Sequence, residues 1–161
     1  MTIKMRKAGP EDIFFLKEML YEAIFIPEGQ AKPPFSIINN PELYKYLSGW
    51  MRESDTGFIA EIEGQAAGAA WARLFENAAT GGYGFVDDET PELCLAVIEK
   101  FRSRGVGTAL MKALIAELKL RRYGALSLSV DKQNQAVNLY KMLNFKTVKE
   151  QDTDYLMIKK L

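Results

Sequence analysis

Hydrophobic and polar positions alternate at the start of the chain and then change to a helical spacing. Residues 2–7 place Ile3 and Met5 between polar neighbours, which predicts a half-buried strand. A proline and two acids within residues 9–12 favour a helix start, and apolar residues at helical spacing extend that helix to Ile24. Residues 26–41 are punctuated by prolines, so we expect an irregular segment there.

The pattern then predicts a second helix, a hairpin and a second half that alternates strands with helices. The second helix is expected from Glu42 to about Met51, with Leu43, Leu47, Trp50 and Met51 inward. Strands are predicted at 58–62, 67–75, 92–98, 126–130, 145–148 and 155–158, and helices at 105–121 and 135–143. Residues 76–91 form a long loop rich in glycine and acid. The nearly continuous apolar run at 92–98 is typical of a central buried strand.

The resulting order, β-α-α-β-β-β-α-β-α-β-β, predicts an α/β (α+β) fold in which a hairpin half precedes a βαβ half. A mixed sheet of about seven strands with about four helices follows from that order. A length of 161 residues fits one domain, and no linker or repeat divides it, so residues 1–161 are expected to fold together.

Composition narrows the chemistry mainly through the absence of histidine. Without histidine the chain can hold no Ser-His-Asp or Cys-His nucleophile system, and no histidine metal site. The single Cys94 cannot build a thiolate metal site, so no metal is expected. Proton transfer is left to carboxylate, tyrosine, lysine or water. The 21 basic residues equal the 21 acidic residues, which argues against nucleic acid as a partner.

Several features of the chain predict a cytoplasmic protein. One cysteine allows no internal disulfide, which suits a reducing compartment. The sequence Met1–Arg6 lacks the apolar run of a signal peptide. No apolar stretch approaches the ~20 residues that a membrane span needs, so no membrane association is expected.

The segment after the central strand has the properties of a diphosphate-binding turn. Its sequence runs from the apolar strand through Arg102 and Arg104 into a helix that begins with Gly105 and Gly107. Free amides at a helix N-terminus favour anions, and glycine lets a phosphate approach the backbone. Arginine adds positive charge beside those amides. Alternatively, the glycines only allow close strand–helix packing.

A dinucleotide-binding site is one alternative for the diphosphate. Gly105-Val106-Gly107 follows a strand, and Asp131 ends the next strand, where a ribose ligand would lie. Against this reading, Leu110 occupies the third glycine position, and the unit lies behind an antiparallel hairpin. A Walker A site is excluded, because no Gly-Lys-Ser/Thr occurs.

At these positions the chain resembles the GNAT N-acetyltransferase superfamily. The family's phosphate motif, Arg/Gln-x-x-Gly-x-Gly/Ala, corresponds to Arg102-Ser103-Arg104-Gly105-Val106-Gly107. A second family element begins with Asn and continues through Ala and Leu-Tyr to a Gly-Phe pair. It corresponds here to Asn134, Ala136, Leu139-Tyr140 and Asn144-Phe145. Asn144 replaces the usual glycine, and asparagine also tolerates a left-handed backbone at a helix end.

The resemblance implies a splayed sheet and roles for individual residues. The backbone of the central strand would pair with the pantetheine arm of coenzyme A at Leu95, Ala96 and Val97. The amides of Arg102 to Thr108 would hold the pyrophosphate. Asn134 would hydrogen-bond the pantetheine or phosphate region, and Tyr140 would protonate the departing thiolate.

Elementary chemistry is compatible with two proton-transfer residues, each with an alternative. A tyrosine of pKa near 10 can protonate a thiolate whose conjugate acid has a pKa near 8.5; alternatively, Tyr140 only packs its ring in the core. Glu92 begins the central strand and is the candidate base for the acceptor amine. Alternatively, Glu92 is a solvated residue at the strand edge, and a water relay or capture of the neutral amine serves instead.

These observations predict an acetyl-CoA-dependent N-acetyltransferase that transfers an acetyl group directly to a primary amine. The acceptor is left open between a polyamine, an amino acid, an antibiotic amine, and a protein terminus or lysine. Members of the family often dimerise, so a homodimer agrees with the resemblance. Two alternatives are a noncatalytic coenzyme A-binding sensor or regulatory module and a nucleotide-dependent oxidoreductase.

Overall fold

A single seven-stranded sheet forms the centre of the molecule. The computed structural model describes all residues, 1–161. The strands are β1 Ile3–Lys7, β2 Thr56–Ile62, β3 Gln65–Arg73, β4 Glu92–Val97, β5 Ala125–Asp131, β6 Lys146–Glu150 and β7 Asp154–Lys160. The helices are α1 Ile13–Glu22, α2 Pro41–Tyr44, α3 Val106–Leu120 and α4 Ala136–Met142. Short 3-10 turns occur at Pro10–Asp12, Phe35–Asn39 and Glu99–Phe101.

The strand order across the sheet is β1-β2-β3-β4-β5-β7-β6. Only β4 and β5 are parallel, and every other neighbouring pair is antiparallel. The predicted order of elements and the predicted mixed sheet are therefore confirmed. The parallel pair joins the hairpin half of the chain to the βαβ half, with α3 as the crossover between its strands.

The two parallel strands separate almost as soon as they pair. On its β3 side, β4 is in register along its whole length, from Glu92 opposite Arg73 to Val97 opposite Gly68. On its β5 side, the register contains one pair, Glu92 with Ser127. Beyond that pair the sheet splays, which agrees with the expectation drawn from the family resemblance. The splay leaves an opening between β4 and β5.

Two hydrophobic cores cover the two faces of the sheet. Helix α3 packs on one face through residues that include Leu110, Leu114 and Leu118. Helix α1 and the segment after α2 cover the other face through Leu16, Met19, Leu20 and Leu47. Successive side chains of a strand point to opposite faces, so β4 contributes to both cores. No helix has both the length and the apolar character needed to cross a membrane.

The predicted second helix is much shorter than expected. Helix α2 ends at Tyr44, and the chain continues in turns, with positive φ angles of 64° at Gly49 and 78° at Met51. The buried Arg73 guanidinium donates to the carbonyl oxygens of Lys45 and Ser48, at 2.8 and 2.6 Å. These carbonyl groups therefore bond to an arginine side chain, where a continued helix would have bonded them to backbone amides. The prediction of a helix to Met51 is wrong, and Met51 is exposed.

Candidate active site

A cavity of about 1130 Å³ occupies the splay between β4 and β5. Its wall includes all of Leu93–Val97 on β4, the turn before α3, and Tyr140 on α4. The end of α1 and the segment that follows it close another side with residues 20–26. A cavity of this size accommodates a large cosubstrate. The opening runs from the start of α3 to the loop that precedes β4.

The turn that enters α3 presents a row of unpaired backbone amides to this cavity. The first helical hydrogen bond runs from the Ala109 amide to the Gly105 carbonyl. No amide from Ser103 to Thr108 donates to an acceptor within the chain. Ser103 and Gly105 adopt positive φ angles of 60° and 82°, which turn the chain sharply into the helix. Free amides at a helix N-terminus form an anion site, so the predicted phosphate turn has suitable geometry.

Gly107 lets α3 start close to its neighbours. A Cβ placed there would lie 3.3 Å from Leu139 Cδ2 on α4 and 3.9 Å from a methyl group of Val97 on β4. A larger side chain at position 107 would therefore meet α4 or extend into the cavity. These contacts support the packing explanation for Gly107, and the missing side chain also keeps the adjoining cavity open for the predicted phosphate.

The two predicted arginines differ in their placement. Arg102 lines the cavity, and its guanidinium donates to the Val97 carbonyl oxygen at 2.9 Å. The same group reaches a Glu22 carboxylate oxygen at 3.4 Å, so it ties the turn to β4 and α1. Arg104 is exposed and lies outside the cavity wall. The backbone amides and Arg102 are thus the groups positioned to receive an anion.

Asn134 and Asn144 organise the two ends of α4. The Asn134 side-chain oxygen accepts the Ala136 amide at 2.9 Å, and the backbone amide of Asn134 donates to the Asp131 carbonyl at 3.0 Å. The side-chain nitrogen of Asn134 donates to no acceptor in the chain, and the residue lines the cavity. Asn144 has a φ of 69°, so it adopts the left-handed conformation predicted for the position of the family glycine. The following Phe145 packs against Tyr140, with the ring centroids 5.6 Å apart.

Tyr140 is buried and directed at the cavity. Its hydroxyl has no hydrogen-bond partner in the chain. Every fully buried side-chain oxygen or nitrogen in the molecule has a partner, so this hydroxyl is not fully buried and opens on the cavity. Burial raises the pKa of Tyr140 above its ordinary value, and the neighbouring Cys94 adds to the shift. Tyr140 therefore remains protonated over the physiological range.

Glu92 is buried, with 2% of its surface exposed, so the alternative of a solvated residue at the strand edge is wrong. Its carboxylate accepts hydrogen bonds from the Gly82 amide at 2.8 Å, the Gly84 amide at 3.2 Å and the Tyr46 hydroxyl at 3.0 Å. Burial raises the pKa of Glu92, although these three donors and the charge of Lys45 oppose the rise. Glu92 does not belong to the cavity wall.

Tyr46 is a cavity residue that the sequence pattern did not single out as a proton-transfer group. Its hydroxyl donates to Glu92 and accepts the Tyr83 amide at 2.8 Å. A Cβ on Gly82 would collide with the Tyr46 hydroxyl, so glycine is required there. The sequence signal was the run Gly81-Gly82-Tyr83-Gly84, which indicates close approach of the backbone to another group without naming the partner.

Cys94 lies on β4 next to both tyrosines. It lines the cavity, and burial raises its pKa to about 12, with a further contribution from Glu92. The thiol is therefore protonated at physiological pH and behaves as a small, weakly polar side chain. This agrees with direct transfer without an acyl-cysteine intermediate.

Comparison with known proteins gives one family throughout. The acetyltransferase (GNAT) family matches residues 20–145. An N-alpha-acetyltransferase of Sulfurisphaera tokodaii is 31% identical over 123 residues, which cover 68% of this chain and 69% of the relative.

Solved structures show the same fold. The PaiA N-acetyltransferase of Thermoplasma acidophilum in complex with coenzyme A superposes with a TM-score of 0.69 at 18% identity, covering 100% of both chains. A ribosomal-protein-alanine N-acetyltransferase of Brucella melitensis gives a TM-score of 0.68 at 22% identity, covering 98% of this chain and 99% of that one. The chain belongs to the acetyltransferase (GNAT) family and is an N-acetyltransferase.

Proposed function

We propose that this enzyme transfers an acetyl group from acetyl-CoA directly to the primary amine of a small molecule or peptide. The observation that carries the proposal is the single cavity in the splayed sheet. That cavity joins the unpaired amides of Ser103–Thr108 at one end to the free hydroxyl of Tyr140 further along. One elongated, anionic thioester fits both features.

The residues present fit the donor in three ways. The amides at the start of α3, with Arg102, suit the pyrophosphate of coenzyme A. Past Glu92, the β5 side of β4 has no strand partner, so the backbone groups of Leu95 and the amide of Val97 are available to the pantetheine arm, while the Val97 carbonyl already accepts from Arg102. Asn134 lines the same wall with a free side-chain amide. Acetyl-CoA supplies the activated acyl group, and the protein supplies position and protons.

Tyr140 and Glu92 are proposed as the acid and the base of the reaction. The Tyr140 hydroxyl lies free in the cavity, is protonated, and can give its proton to the thiolate sulfur as the C–S bond breaks. Burial raises the pKa of the Glu92 carboxylate, which makes it a stronger proton acceptor than an exposed carboxylate. Three hydrogen-bond donors hold it in place. No covalent acyl-enzyme is needed, because the thioester is already activated.

We favour the α-amine of a peptide or protein N-terminus as the acceptor. Two of the relatives described above bear names that specify N-alpha or ribosomal-protein-alanine acetylation. In this chain the cavity wall includes Phe25, Ile26 and the 60% exposed Tyr83, which offer apolar and aromatic surface to a peptide side chain next to the amine.

The test is an acetyl-transfer assay read by mass spectrometry. Acetyl-CoA is supplied with peptides that carry either a free α-amine or a blocked α-amine and a free lysine, and with spermidine and free amino acids. We expect acetylation of the free α-amine. A Gly107→Glu variant is expected to lose coenzyme A binding through bulk and charge at the turn. Coenzyme A binding without acetylation of any amine would overturn the proposal in favour of a sensor.

A further inference from the structure

We propose that Tyr46 is a catalytic residue that takes the proton of the acceptor amine and passes it to Glu92. The inference rests on the proposed acetyl transfer to an amine. Its basis is a difference in position between two hydrogen-bonded side chains. Tyr46 belongs to the cavity wall, and Glu92 lies behind it, outside that wall. An amine in the cavity can contact the Tyr46 hydroxyl, whereas the carboxylate is reached only through another group.

Hydrogen bonding leaves the Tyr46 hydroxyl ready for this role. Its hydrogen points to Glu92 Oε2 at 3.0 Å, and one of its lone pairs accepts the Tyr83 amide at 2.8 Å. A hydroxyl oxygen has two lone pairs, and no other donor in the chain contacts this one. The second lone pair is available to an ammonium or amine N–H in the cavity.

The surroundings fix the hydroxyl in place. The ring of Tyr46 packs edge-on against Phe75, with the centroids 5.8 Å apart. Gly82 and Gly84 bring the loop backbone onto the carboxylate of Glu92, and no side chain at position 82 could share the space with the Tyr46 hydroxyl. These contacts hold the Tyr46 hydroxyl and the Glu92 carboxylate in hydrogen-bonding geometry, which favours proton transfer between them.

The proton balance of the step is complete. The acceptor enters as an ammonium ion, whose extra proton moves to Tyr46 Oη as the Tyr46 proton moves to Glu92 Oε2. The neutral amine nitrogen then bonds to the thioester carbonyl carbon. The C–S bond breaks, and the sulfur takes the proton of Tyr140. The nitrogen of the new amide gives its surplus proton to water in the cavity, which restores the proton of Tyr140, and Glu92 returns its own proton through Tyr46 to the cavity water. The products are the N-acetylated amine and coenzyme A thiol.

The charged and titratable groups around the pair come from four segments. Lys45 precedes Tyr46 and is the cation whose charge acts on Glu92. Cys94 follows on β4 and remains protonated. Arg73 stands opposite Glu92 on β3, where its charge is paired with Asp55. Lys45 also donates to the Gly81 carbonyl at 2.8 Å, which joins it to the loop.

The experiment compares Tyr46→Phe with Tyr44→Phe in the full chain, using acetyl-CoA and a peptide with a free α-amine. We expect Tyr46→Phe to lower kcat about 100-fold at pH 7, with the dissociation constant of coenzyme A unchanged. The loss should shrink as the pH rises, because the amine then arrives without its extra proton. In the wild type, kcat should fall at low pH as Glu92 becomes protonated, and this dependence should be absent in Tyr46→Phe. Tyr44→Phe should match the wild type.

Glu92→Gln provides a second measurement, because it keeps an oxygen that can accept a loop amide but cannot take a proton. It should reproduce the altered pH profile of Tyr46→Phe. A Tyr46→Phe enzyme whose reduced kcat keeps the wild-type pH profile would show that the hydroxyl only anchors the loop, and would overturn the relay. If the wild type acetylates no amine at all, the proposed function fails and the relay fails with it.

Discussion

Burial raises the pKa of both Tyr140 and Glu92, and the two shifts have opposite chemical uses. A tyrosine of raised pKa keeps its proton at physiological pH and is a weaker acid than an ordinary tyrosine, so its proton moves only as negative charge develops on the sulfur beside it. A carboxylate of raised pKa is a better proton acceptor than an ordinary one. In the proposed mechanism the acid is a side chain buried on α4, and the base is a side chain buried at the start of β4.

Replacing Tyr140 with Phe tests the acid at the level of a single oxygen atom. The ring, and its packing on Phe145, would be kept, while the proton donor is removed. We expect kcat to fall about 10- to 100-fold, with the affinity for coenzyme A nearly unchanged. Steady-state kinetics and coenzyme A titration measure the two quantities. Tyr123→Phe, on the loop before β5, is the control and should leave kcat unchanged. An unchanged kcat in Tyr140→Phe would show that Tyr140 is not the general acid.

Residues within one motif could be predicted from the sequence, whereas contacts between distant segments could not. The resemblance between residues 134–145 and the family motif points to Tyr140, and the acid at the start of the predicted central strand makes Glu92 the candidate base. Tyr46 meets Glu92 across 46 positions of sequence, through a loop whose glycines permit the contact. Nothing local to Tyr46 distinguishes it from the nearby Tyr44.

At the scale of elements, a buried ion pair determines where the segment after α2 lies. Arg73 on β3 is fully buried and makes two hydrogen bonds of 2.8 Å with Asp55, while its remaining nitrogen holds the carbonyls of Lys45 and Ser48. These bonds fasten the turn that carries Tyr46 to the sheet. The apolar spacing of Leu43 and Leu47 indicates which residues are buried, and it therefore predicted a longer helix. A distant buried arginine that hydrogen-bonds the carbonyl groups of this segment produces no pattern in the local sequence.

Removing Asp55 is expected to destabilise the protein strongly. Asp55→Ala leaves the Arg73 guanidinium buried without its counter-charge, which costs about 3–5 kcal/mol. The free energy of unfolding in urea is the measurement. Glu42→Ala is the matched control, because its ion pair with Lys45 at 2.9 Å has a carboxylate side chain that is 61% exposed and is expected to contribute about 1 kcal/mol or less. A similarly small loss of unfolding free energy in both variants would contradict the inference that the Asp55–Arg73 pair fastens the segment after α2 to the sheet.

Across the whole molecule, equal numbers of basic and acidic residues conceal a local division of charge. The start of α3 combines free amides with Arg102, while the acidic Glu92 is buried at the other end of β4, behind Tyr46. The order of elements could be predicted because each has its own periodicity. The single β4–β5 register pair could not, since a strand that loses its neighbour keeps the same apolar pattern.

Coenzyme A should bridge the gap that the splay leaves, and so stabilise the two halves of the sheet together. At 100 times its dissociation constant it should add about 2.7 kcal/mol to the free energy of unfolding. Hydrogen exchange should slow at Leu95–Val97 and at Ser103–Thr108, whose amides the ligand would engage. NAD is the comparison ligand, because Asp131 also lines the cavity and the same turn could in principle receive a dinucleotide. Stabilisation by NAD and not by coenzyme A, or protection confined to other segments, would contradict this assignment of the cavity.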